Sequence, residues 1–385
     1  MTVVYYLNTY YLDAALEIIQ SIKHNTDLHI LIEISPESKK TNILNVENLS
    51  GLNFIEKPVK VMGLSKWIEL QKYFKGVKSI NFIVFRHKRS FSLSSFYTAY
   101  FAQKYINSLN PEIIHFDSIT PRIIFMSPFI YFKKTFITVH DPAPHTGEGS
   151  WKIKLTEYIY FLTAKGVFFY SKFASMQFKN RYKNLLLSFN LLQFQPFTFI
   201  QRYLLNNSVS EGNFILFFGR ILAYKGVDIL LDAIPYVLSK FPQEKFLIAG
   251  SIQDCDIDIS KIHDYGENVQ LFADYVSTEK LASLIQESKF VVCPYRDATQ
   301  SGVLMTAFAL GKTVVGTNVG AFPEYIRNNV NGIITNPDAI SFADAIIDAL
   351  TFNKYKTLEK NVVSAYSSDI NLINKNNILK AYQAI

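Results

Sequence analysis

The sequence predicts an α/β protein made of two doubly wound, Rossmann-like domains that face a central cleft. Short apolar, β-rich runs alternate with helix-period segments along most of the chain, and this alternation begins again after about residue 212. The chain has 385 residues, of which 49% are hydrophobic and 18% charged. That is enough length and apolar material for two packed cores, and it excludes global disorder.

The pattern of the first half predicts one complete series of alternating strands and helices. Strands are predicted at 3–7, 29–34, 79–84, 113–116, 135–139 and 167–170, with helices at 12–23, 65–74, 96–107 and 151–162. Strands separated by helices are typical of a parallel sheet covered on both faces. Residues 1–195 therefore form the first predicted domain.

The second half repeats the pattern. Strands are predicted at 214–219, 245–249, 269–272, 290–294, 313–317 and 332–334, with helices at 227–240, 278–287, 302–310 and 339–350. We assign 196–212 to a linker because its periodicity is weak, and 213–368 to the second domain. The tail, 369–385, is predicted to be a helix that packs back on the first domain.

The formal net charge of +7 indicates an anionic partner. No arginine-rich arm, zinc spacing or RNA-binding aromatic motif is visible, so we do not expect a nucleic acid. The two cysteines, Cys255 and Cys293, have no metal-ligand spacing, and Cys293 lies in an apolar run typical of a core. No secretory signal is recognised, which favours a cytoplasmic location.

Basic and aromatic residues share the segment 60–101. They are Trp67, Lys72, Lys75, Lys78, Arg86, His87, Lys88, Arg89, Phe91 and Phe96. One interpretation is peripheral docking at the inner face of an anionic membrane; the other is a solvated face above core aromatics. The longest apolar stretch, 123–132, is too short to span a bilayer, which takes about 20 residues.

Two cations follow the first strand of the second half. Gly219 permits a sharp turn after the strand, and Arg220 and Lys225 come next, with four residues between them. Paired cations at a strand end would neutralise a leaving diphosphate. Solvated charges at a strand–helix turn give the same pattern.

A polar loop follows the strand predicted at 290–294. Thr299, Ser301 and Gly302 are small residues at the start of the next helix, where backbone N–H groups bind phosphate oxygens. Because Ser and Thr cap helices in general, an ordinary connecting loop is the alternative.

Five motifs occur in one order along the second half. They are Arg-x4-Lys, Ile-Ala-Gly at 248–250, the Pro-Tyr…Gln-Ser-Gly-Val loop, Gly-Lys-Thr-Val-Val, and Gly-Ala-Phe-Pro-Glu at 320–324. This order resembles the donor domain of the group 1 (family GT4) retaining glycosyltransferases, which have the GT-B fold. The first half resembles that family only in outline and in its Val-His-Asp segment.

The resemblance implies a nucleotide-sugar donor, UDP- or GDP-linked. We expect no metal or other cofactor, because the two cations and the helix end already neutralise the phosphates. The resemblance assigns the donor diphosphate to Arg220 and Lys225, and a further donor contact to Glu324. The other implied donor contacts are Gly219, Gly250, Tyr275, Val276, Asp297, Thr299, Gln300, Ser301, Gly302 and Val303.

The sequence departs from the family pattern at two positions. The usual pair of glutamates, separated by seven residues, falls on Ala298 and Thr306. A subset of the family is similar to this chain, with a Thr-Gln-Ser-Gly-Val loop in place of the glutamates. Asp297, next to the first position, either replaces that glutamate or is a solvated loop aspartate.

In the first half, His140 and Asp141 end a strand whose carboxyl end is expected to face the cleft. The resemblance makes His140 a polar contact near the reacting carbon, with Asp141 orienting it or the acceptor; a structural histidine is the alternative. The expected acceptor contacts are Asn8, Thr9, His145 and Glu148. His115 ends another strand and is interpreted as structural or supporting.

The resemblance therefore implies retaining transfer of a hexosyl unit to a glycan or lipid-linked glycan, in cell-surface polysaccharide synthesis. A nucleotide-sugar epimerase or a phosphorylase shares this fold, but no lysine suits the pyridoxal phosphate of a phosphorylase. A non-catalytic partner subunit is the third interpretation, motivated by the missing glutamates.

Overall fold

The computed structural model describes residues 1–127, 134–142, 150–204, 212–253, 258–365 and 369–384. The chain divides into two compact units: unit 1 comprises Met1–Gln193 and Ser368–Ile385, and unit 2 comprises Phe194–Ser367. Each unit has its own sheet, flanked by helices. The two-domain α/β architecture predicted from the sequence is confirmed.

Unit 1 contains an eight-stranded sheet in the order β3-β4-β2-β1-β5-β6-β7-β8. Its strands are β1 (Thr2–Asn8), β2 (Asp27–Ile34), β3 (Ile55–Glu56), β4 (Ser79–Val84), β5 (Ile113–Phe116), β6 (Lys134–Thr138), β7 (Gly166–Phe169) and β8 (Ser188–Leu191). Its helices are α1 (Leu12–Ile22), α2 (Pro58–Leu70), α3 (Leu93–Ser108), α4 (Trp151–Thr163), α5 (Lys172–Arg181) and α12 (Asp369–Gln383). All strand pairs are parallel except β3 with β4.

Unit 2 contains a parallel six-stranded sheet in the order β11-β10-β9-β12-β13-β14. Its strands are β9 (Phe214–Phe218), β10 (Phe246–Ala249), β11 (Val269–Phe272), β12 (Ser288–Cys293), β13 (Val314–Thr317) and β14 (Gly332–Thr335). Its helices are α6 (Val227–Lys240), α7 (Thr278–Glu287), α8 (Gly302–Ala309), α9 (Phe322–Tyr325), α10 (Ala339–Leu350) and α11 (Lys354–Ala365). Cys293 is fully buried at the end of β12.

The stretch assigned from the sequence to a linker contains packed structure. Its described part includes a 3₁₀ helix at Thr198–Tyr203, and Phe197, Phe199 and Ile200 are buried. Just before it, β8 pairs with β7 at the edge of the first sheet. The sequence pattern missed both because a four-residue edge strand and a single 3₁₀ turn are too short to show periodicity.

The helices of unit 1 cover opposite faces of its sheet. One core cluster joins the inner sides of α3, α4 and α5 to alternate strand residues, for example Ala102, Phe161 and Phe178. The strand residues in between contact α12, whose Tyr382 ring packs against Phe136 and Phe168. Because side chains alternate along a strand, α12 lies on the other face from α3 and α4.

Both sheets reverse their strand order at one point. In unit 1 the reversal lies between β1 and β5, and in unit 2 between β9 and β12. The connections leave in opposite directions there, which opens a crevice at the carboxyl ends of the two strands. These two crevices are the places where a doubly wound fold binds ligands.

Candidate functional site

The crevice of unit 2 begins at Gly219, directly after β9. Its φ of +104° lies in the region that glycine adopts without steric cost. A β-carbon at this position would lie 3.0 Å from the Lys225 Nζ and 3.2 Å from a methyl group of Val303. Gly219 therefore lets a buried lysine and the start of α8 approach the end of the strand.

Lys225 is a buried cation. Its side chain is 7% exposed, and its Nζ lies 5.3 Å from the centre of the Tyr295 ring. Burial and, to a smaller extent, the charge of Arg220 together lower the pKa of Lys225 to about 8. Arg220 itself is exposed. Two cations so placed are stabilised by any anion that binds between them.

Helix α8 starts on the other side of the crevice. Ser301 is its N-cap, and the Ser301 Oγ accepts a hydrogen bond from the N–H of Leu304 at 3.2 Å. Thr299 and Ser301 are buried, Gln300 is half-buried and Gly302 is exposed. The positive end of α8 thus begins at the switch point beside Val303, which approaches Gly219.

Backbone contacts join the loops that surround the crevice. A β-carbon on Gly226 would overlap the carbonyl oxygen of Pro294, and one on Gly250 would overlap that of Gly219. The N–H of Arg296 donates to the Tyr224 carbonyl at 2.7 Å. The Arg220–Lys225 turn is therefore held between the loops after β10 and β12.

The loop after β12 also contacts the Gly-Ala-Phe-Pro-Glu turn. The N–H of Ala321 donates to the Ala298 carbonyl at 2.8 Å, and a β-carbon on Gly320 would overlap the same oxygen. Glu324 is exposed in the first turn of α9, and Asp297 is half-buried. Ala298 thus occupies the junction where the family pattern places its first glutamate.

Thr306, at the second position where the family pattern has a glutamate, also lacks a carboxylate. The Thr306 Oγ1 donates to the carbonyl of Gly302 at 2.7 Å, within α8. Tyr275 is exposed and Val276 half-buried in the loop after β11, which lies two strands from β9. These two implied donor contacts therefore stand apart from the two cations along the sheet edge.

The crevice of unit 1 contains a buried His–Asp pair. The His140 Nε2 lies 3.1 Å from an Asp117 carboxylate oxygen, and the Tyr5 hydroxyl donates to the other oxygen at 2.6 Å. Burial alone would lower the pKa of His140, but the Asp117 carboxylate raises it above its ordinary value. Asp117 therefore favours the protonated imidazole and holds one ring nitrogen.

Tyr11 covers the His140 ring. The two rings stack with centroids 3.8 Å apart and planes 13° from parallel. Asp13, on the first turn of α1, is a half-buried carboxyl, and partial removal from water raises its pKa to about 6. Both residues lie just after β1, at the same switch point as His140.

Asn8 and Thr9 are buried, and their side chains bond within the protein. The Asn8 amide donates to Glu33 at 3.3 Å, and its oxygen accepts from the N–H of Tyr10 at 2.9 Å. The Thr9 Oγ1 donates to the carbonyl of Ser38 at 2.6 Å. Both side chains shape the first loop, and Tyr11 is the residue of that loop that reaches His140. His145 and Glu148 lie outside the described residues.

A cavity of about 190 Å³ opens beside His140. Its polar lining includes Tyr11, Asp141, Lys154, Glu157 and Arg181. Burial raises the pKa of Glu157 to about 7, against the opposing charge of Arg181. The cavity therefore offers cations, a titrating carboxyl and an imidazole around one small space.

Sequence reasoning missed four residues of this crevice. Asp117 follows β5 at the switch point, so its position after a predicted strand was a usable signal. Tyr11 lies two residues after Thr9, an expected acceptor contact, in the same loop. Glu157 and Arg181 are single charges on two helices, and only packing brings them to one cavity. His115 is fully buried between the Tyr382 hydroxyl and the Thr138 Oγ1, at 2.6 and 2.8 Å, in keeping with a structural role.

The described residues lack two kinds of feature. They contain no group of three or more His, Cys, Asp or Glu side chains arranged to hold a metal ion. Within the same residues, no helix is long and apolar enough to cross a membrane.

Residues 212–351, most of unit 2, match the model of the group 1 glycosyl transferases. An uncharacterised glycosyltransferase of Methanocaldococcus jannaschii is 32% identical over 166 residues, which are 41% of this chain and 42% of that protein. The GDP-mannose:cellobiosyl-diphosphopolyprenol alpha-mannosyltransferase of Xanthomonas oryzae is 28% identical over 177 residues, 43% of this chain and 46% of that protein. The chain thus matches less than half the length of each of these relatives.

Similarity to solved structures extends over both units. HepE of Anabaena, solved in complex with UDP-glucose, superposes with a TM-score of 0.69 at 14% identity and covers 100% of both chains. At this identity the likeness concerns the fold alone. The chain has the GT-B fold, as the motif order in its second half implied.

Proposed function

We propose that this protein is a retaining glycosyltransferase that moves a hexosyl unit from a UDP- or GDP-sugar to a glycan or lipid-linked glycan. The match of unit 2 to the group 1 model supports a transferase. The Xanthomonas relative, an alpha-mannosyltransferase named for a diphosphopolyprenol-linked acceptor, supports such an acceptor here, and with it a role in cell-surface polysaccharide synthesis.

One observation carries the proposal: the pairing of Arg220 with the buried Lys225 across the crevice from the start of α8. A nucleoside diphosphate needs cations and N–H donors on its phosphate oxygens, and it needs them most when the bond to the sugar breaks. The sharp turn at Gly219 brings both kinds of group to one strand end. We assign the leaving diphosphate to this place, with the sugar held towards Asp297 and Glu324.

In the proposed reaction, the bond between the anomeric carbon and a diphosphate oxygen breaks. An acceptor hydroxyl oxygen bonds to the same carbon from the same face, and its proton passes to the departing phosphate oxygen. Arg220, Lys225 and the α8 N–H groups take up the developing negative charge. No carboxylate of this chain acts as a nucleophile in the proposal.

His140 and the unit 1 cavity form the proposed acceptor site. The protonated imidazole favoured by Asp117 donates a hydrogen bond to a sugar oxygen near the reacting carbon. The cavity beside it accepts the acceptor's polar groups through Lys154, Arg181 and Asp141. Asp141 orients the acceptor or the imidazole.

A thermal-shift panel of UDP, GDP, ADP and their sugars tests the donor site. A nucleotide present at a free concentration of 100 times its Kd stabilises the native state by about 2.7 kcal/mol, which is measurable as a higher Tm. We expect UDP or GDP to produce this shift and Arg220→Ala to abolish both shift and transfer. Because Arg220 is exposed, the Tm of the unliganded variant should change little. Full transfer by the variant would refute the diphosphate site.

Activity assays with the same nucleotide sugars separate the competing interpretations. Conversion of a nucleotide sugar without any acceptor would indicate an epimerase. Nucleotide-sugar binding without hydrolysis or transfer, over a broad range of acceptors, would indicate a non-catalytic subunit. The absence of carboxylates at Ala298 and Thr306 is the observation behind that last outcome.

A further inference from the structure

Helix α4 has an apolar stripe on its outer side. Trp151, Leu155, Tyr158 and Leu162 recur at spacings of four, three and four residues, and are between 41% and 65% exposed. This spacing places them along one face of the helix. The inner side of the same helix is occupied by the buried Tyr160 and Phe161. Helix α4 therefore has two apolar sides, of which the core covers one.

Helix α3 adds a second exposed apolar surface beside it. Leu93, Phe96, Tyr97 and Tyr100 are between 43% and 78% exposed. Aromatic contacts connect the two helices: Phe91 lies edge-on to Trp151 at 5.7 Å, and both Phe91 and Phe96 contact Phe125, at 6.0 and 5.8 Å. We name this continuous surface the α3–α4 face. Exposed apolar patches of this kind mark interaction sites.

The charges around the α3–α4 face are positive. The segment 86–108 contains four Lys or Arg residues and no Asp or Glu. Lys88, Arg89 and Lys154 are exposed near the starts of α3 and α4, and Lys152 lies over the Phe91 and Trp151 rings at 5.4 and 5.9 Å. The one acidic residue of α4, Glu157, lines the cavity. An apolar face with a cationic border is complementary to an anionic lipid surface.

The same helix also forms one wall of the cavity beside His140. Ile153, Lys154, Glu157 and Phe161 line that cavity, while the neighbouring positions 151, 155, 158 and 162 form the stripe. Stripe and cavity therefore border the same helix, whose diameter is about 10 Å, so a surface that contacts the stripe lies within about that distance of the cavity. A lipid-linked acceptor anchored in that surface would therefore have its polar head group close to the cavity.

We propose that the α3–α4 face docks unit 1 on an anionic phospholipid leaflet. Trp151, Leu155, Tyr158 and Leu162 enter the interfacial region, and the bordering lysines and arginines contact lipid phosphates. Delivery of a lipid-linked acceptor to the cavity rests on the proposed function. Membrane binding itself does not depend on the proposed function, and it is measured without any substrate.

Vesicle co-sedimentation of the full chain tests the proposal. We expect at least about tenfold stronger binding to vesicles with 30% phosphatidylglycerol than to pure phosphatidylcholine, and weaker binding in high salt. Tyr158→Ser/Leu162→Asn should weaken binding about tenfold or more, because both apolar side chains leave the interface. Lys88→Glu/Arg89→Glu should remove the preference for the anionic vesicles.

Matched variants in unit 2 control for general surface effects. Tyr236 and Ile340 are 50% and 59% exposed, close to the 51% and 56% of Tyr158 and Leu162. Tyr236→Ser/Ile340→Asn should bind vesicles like the unmodified chain, and nucleotide-induced shifts in Tm should be the same for both double variants. Equal vesicle binding by both, or none by the unmodified chain, overturns the proposal. Loss of a homodimer in the α4 variant, seen by sedimentation velocity, would instead assign the face to a second copy.

Discussion

Lys225 is a buried cation whose protonated form is disfavoured in the free protein. Its burial removes water from the ammonium group, and Arg220 adds a like charge nearby. Both effects destabilise the protonated form in the free protein, which is why its pKa falls to about 8. A diphosphate bound between the two cations would offset the repulsion from Arg220 and favour the protonated form of Lys225.

The affinity for UDP or GDP should therefore depend on pH through Lys225. Below pH 8 the lysine is already protonated, so the Kd should be nearly flat between pH 7 and 8. Above pH 8 binding requires proton uptake, so the Kd should rise by up to about tenfold per pH unit. Isothermal titration calorimetry in buffers of different ionisation enthalpy measures both the Kd and the proton uptake.

Lys225→Met supplies the control for that dependence. This variant should bind the nucleotide more weakly at pH 7 and show no rise of Kd between pH 8 and 9. A pH profile identical to that of the unmodified chain would show that another group titrates.

Asp117 is the residue that sets the protonation of His140. Its carboxylate lies within hydrogen-bond distance of the imidazole and of the Tyr5 hydroxyl, and it is fully buried. Without this charge, burial is the dominant influence on the imidazole and favours its neutral form.

Asp117→Asn should lower the pKa of His140, because desolvation is then opposed only by the weaker effect of the Asp141 charge. Transfer should fall about 100-fold, the range expected when an oriented proton donor is lost. NMR titration of the histidine side chains measures the first effect and a transfer assay the second. Tyr5→Phe, which leaves the charge in place, should have the smaller effect on both; an unshifted His140 titration in Asp117→Asn would contradict the assigned role.

At the scale of elements, the crevice of unit 2 depends on loops that touch through backbone atoms. Gly226, Gly250 and Gly320 each stand where a β-carbon would overlap a carbonyl oxygen of a neighbouring loop. Close approach of backbones is the reason for glycine at these positions. The loops are thereby fixed relative to the start of α8 before any ligand binds.

Gly320→Ala should destabilise unit 2 by about 3 kcal/mol, since it combines a positive φ of +53° with overlap on the Ala298 carbonyl. It should also weaken nucleotide binding by displacing the loop after β12. Urea unfolding and the nucleotide thermal shift measure the two effects.

Gly266→Ala is a control for the backbone cost in the same unit. Gly266 has a φ of +52° and a ψ of −127°, and no atom lies within 4 Å of its β-carbon position, so the substitution has a backbone cost of about 1–3 kcal/mol and no overlap. Unlike Gly320→Ala, it should leave the nucleotide-induced shift in Tm unchanged; an equal loss of nucleotide binding in both variants would show that the contact with Ala298 does not position the loop after β12.

Most elements were predictable because their patterns are local. The strands 79–84, 113–116 and 269–272 and the helices 227–240, 278–287 and 339–350 were predicted with the bounds that the structure has. Helix α2 was predicted only in its second half, because Gly63, at φ +79°, interrupts the helical geometry. Helices α5 and α11 were not predicted.

At the scale of the whole molecule, the last helix completes the first unit. Helix α12 packs against α1, and the Ser21 hydroxyl donates to the Asn371 side chain at 2.9 Å. The Tyr382 ring packs against Phe136 on the sheet, and its hydroxyl forms a hydrogen bond with the His115 Nδ1. Unit 1 is therefore built from both ends of the chain.

Tyr382→Ala should destabilise unit 1 by about 3–5 kcal/mol, the usual cost of removing a large buried ring. Hydrogen exchange should show lost protection in β5 and β6 and unchanged protection in β9 and β12. Tyr382→Phe removes only the hydroxyl bonded to His115 and should cost about 1–2 kcal/mol. Equal loss of protection in both units would contradict the assignment of α12 to unit 1.

The sequence alone determined that the chain forms two sheets with intervening helices, most of their bounds, and the position of Gly219, Arg220 and Lys225 at one strand end. These features are encoded by residues close together in the chain: apolar periodicity within a strand or helix, and Gly219, Arg220 and Lys225 within one turn. Tertiary structure decided the rest. It paired Asp117 with His140, brought Glu157 and Arg181 to one cavity, and left the outer side of α4 uncovered. Such relations join residues far apart in the sequence, and only the packing of the sheet brings them together.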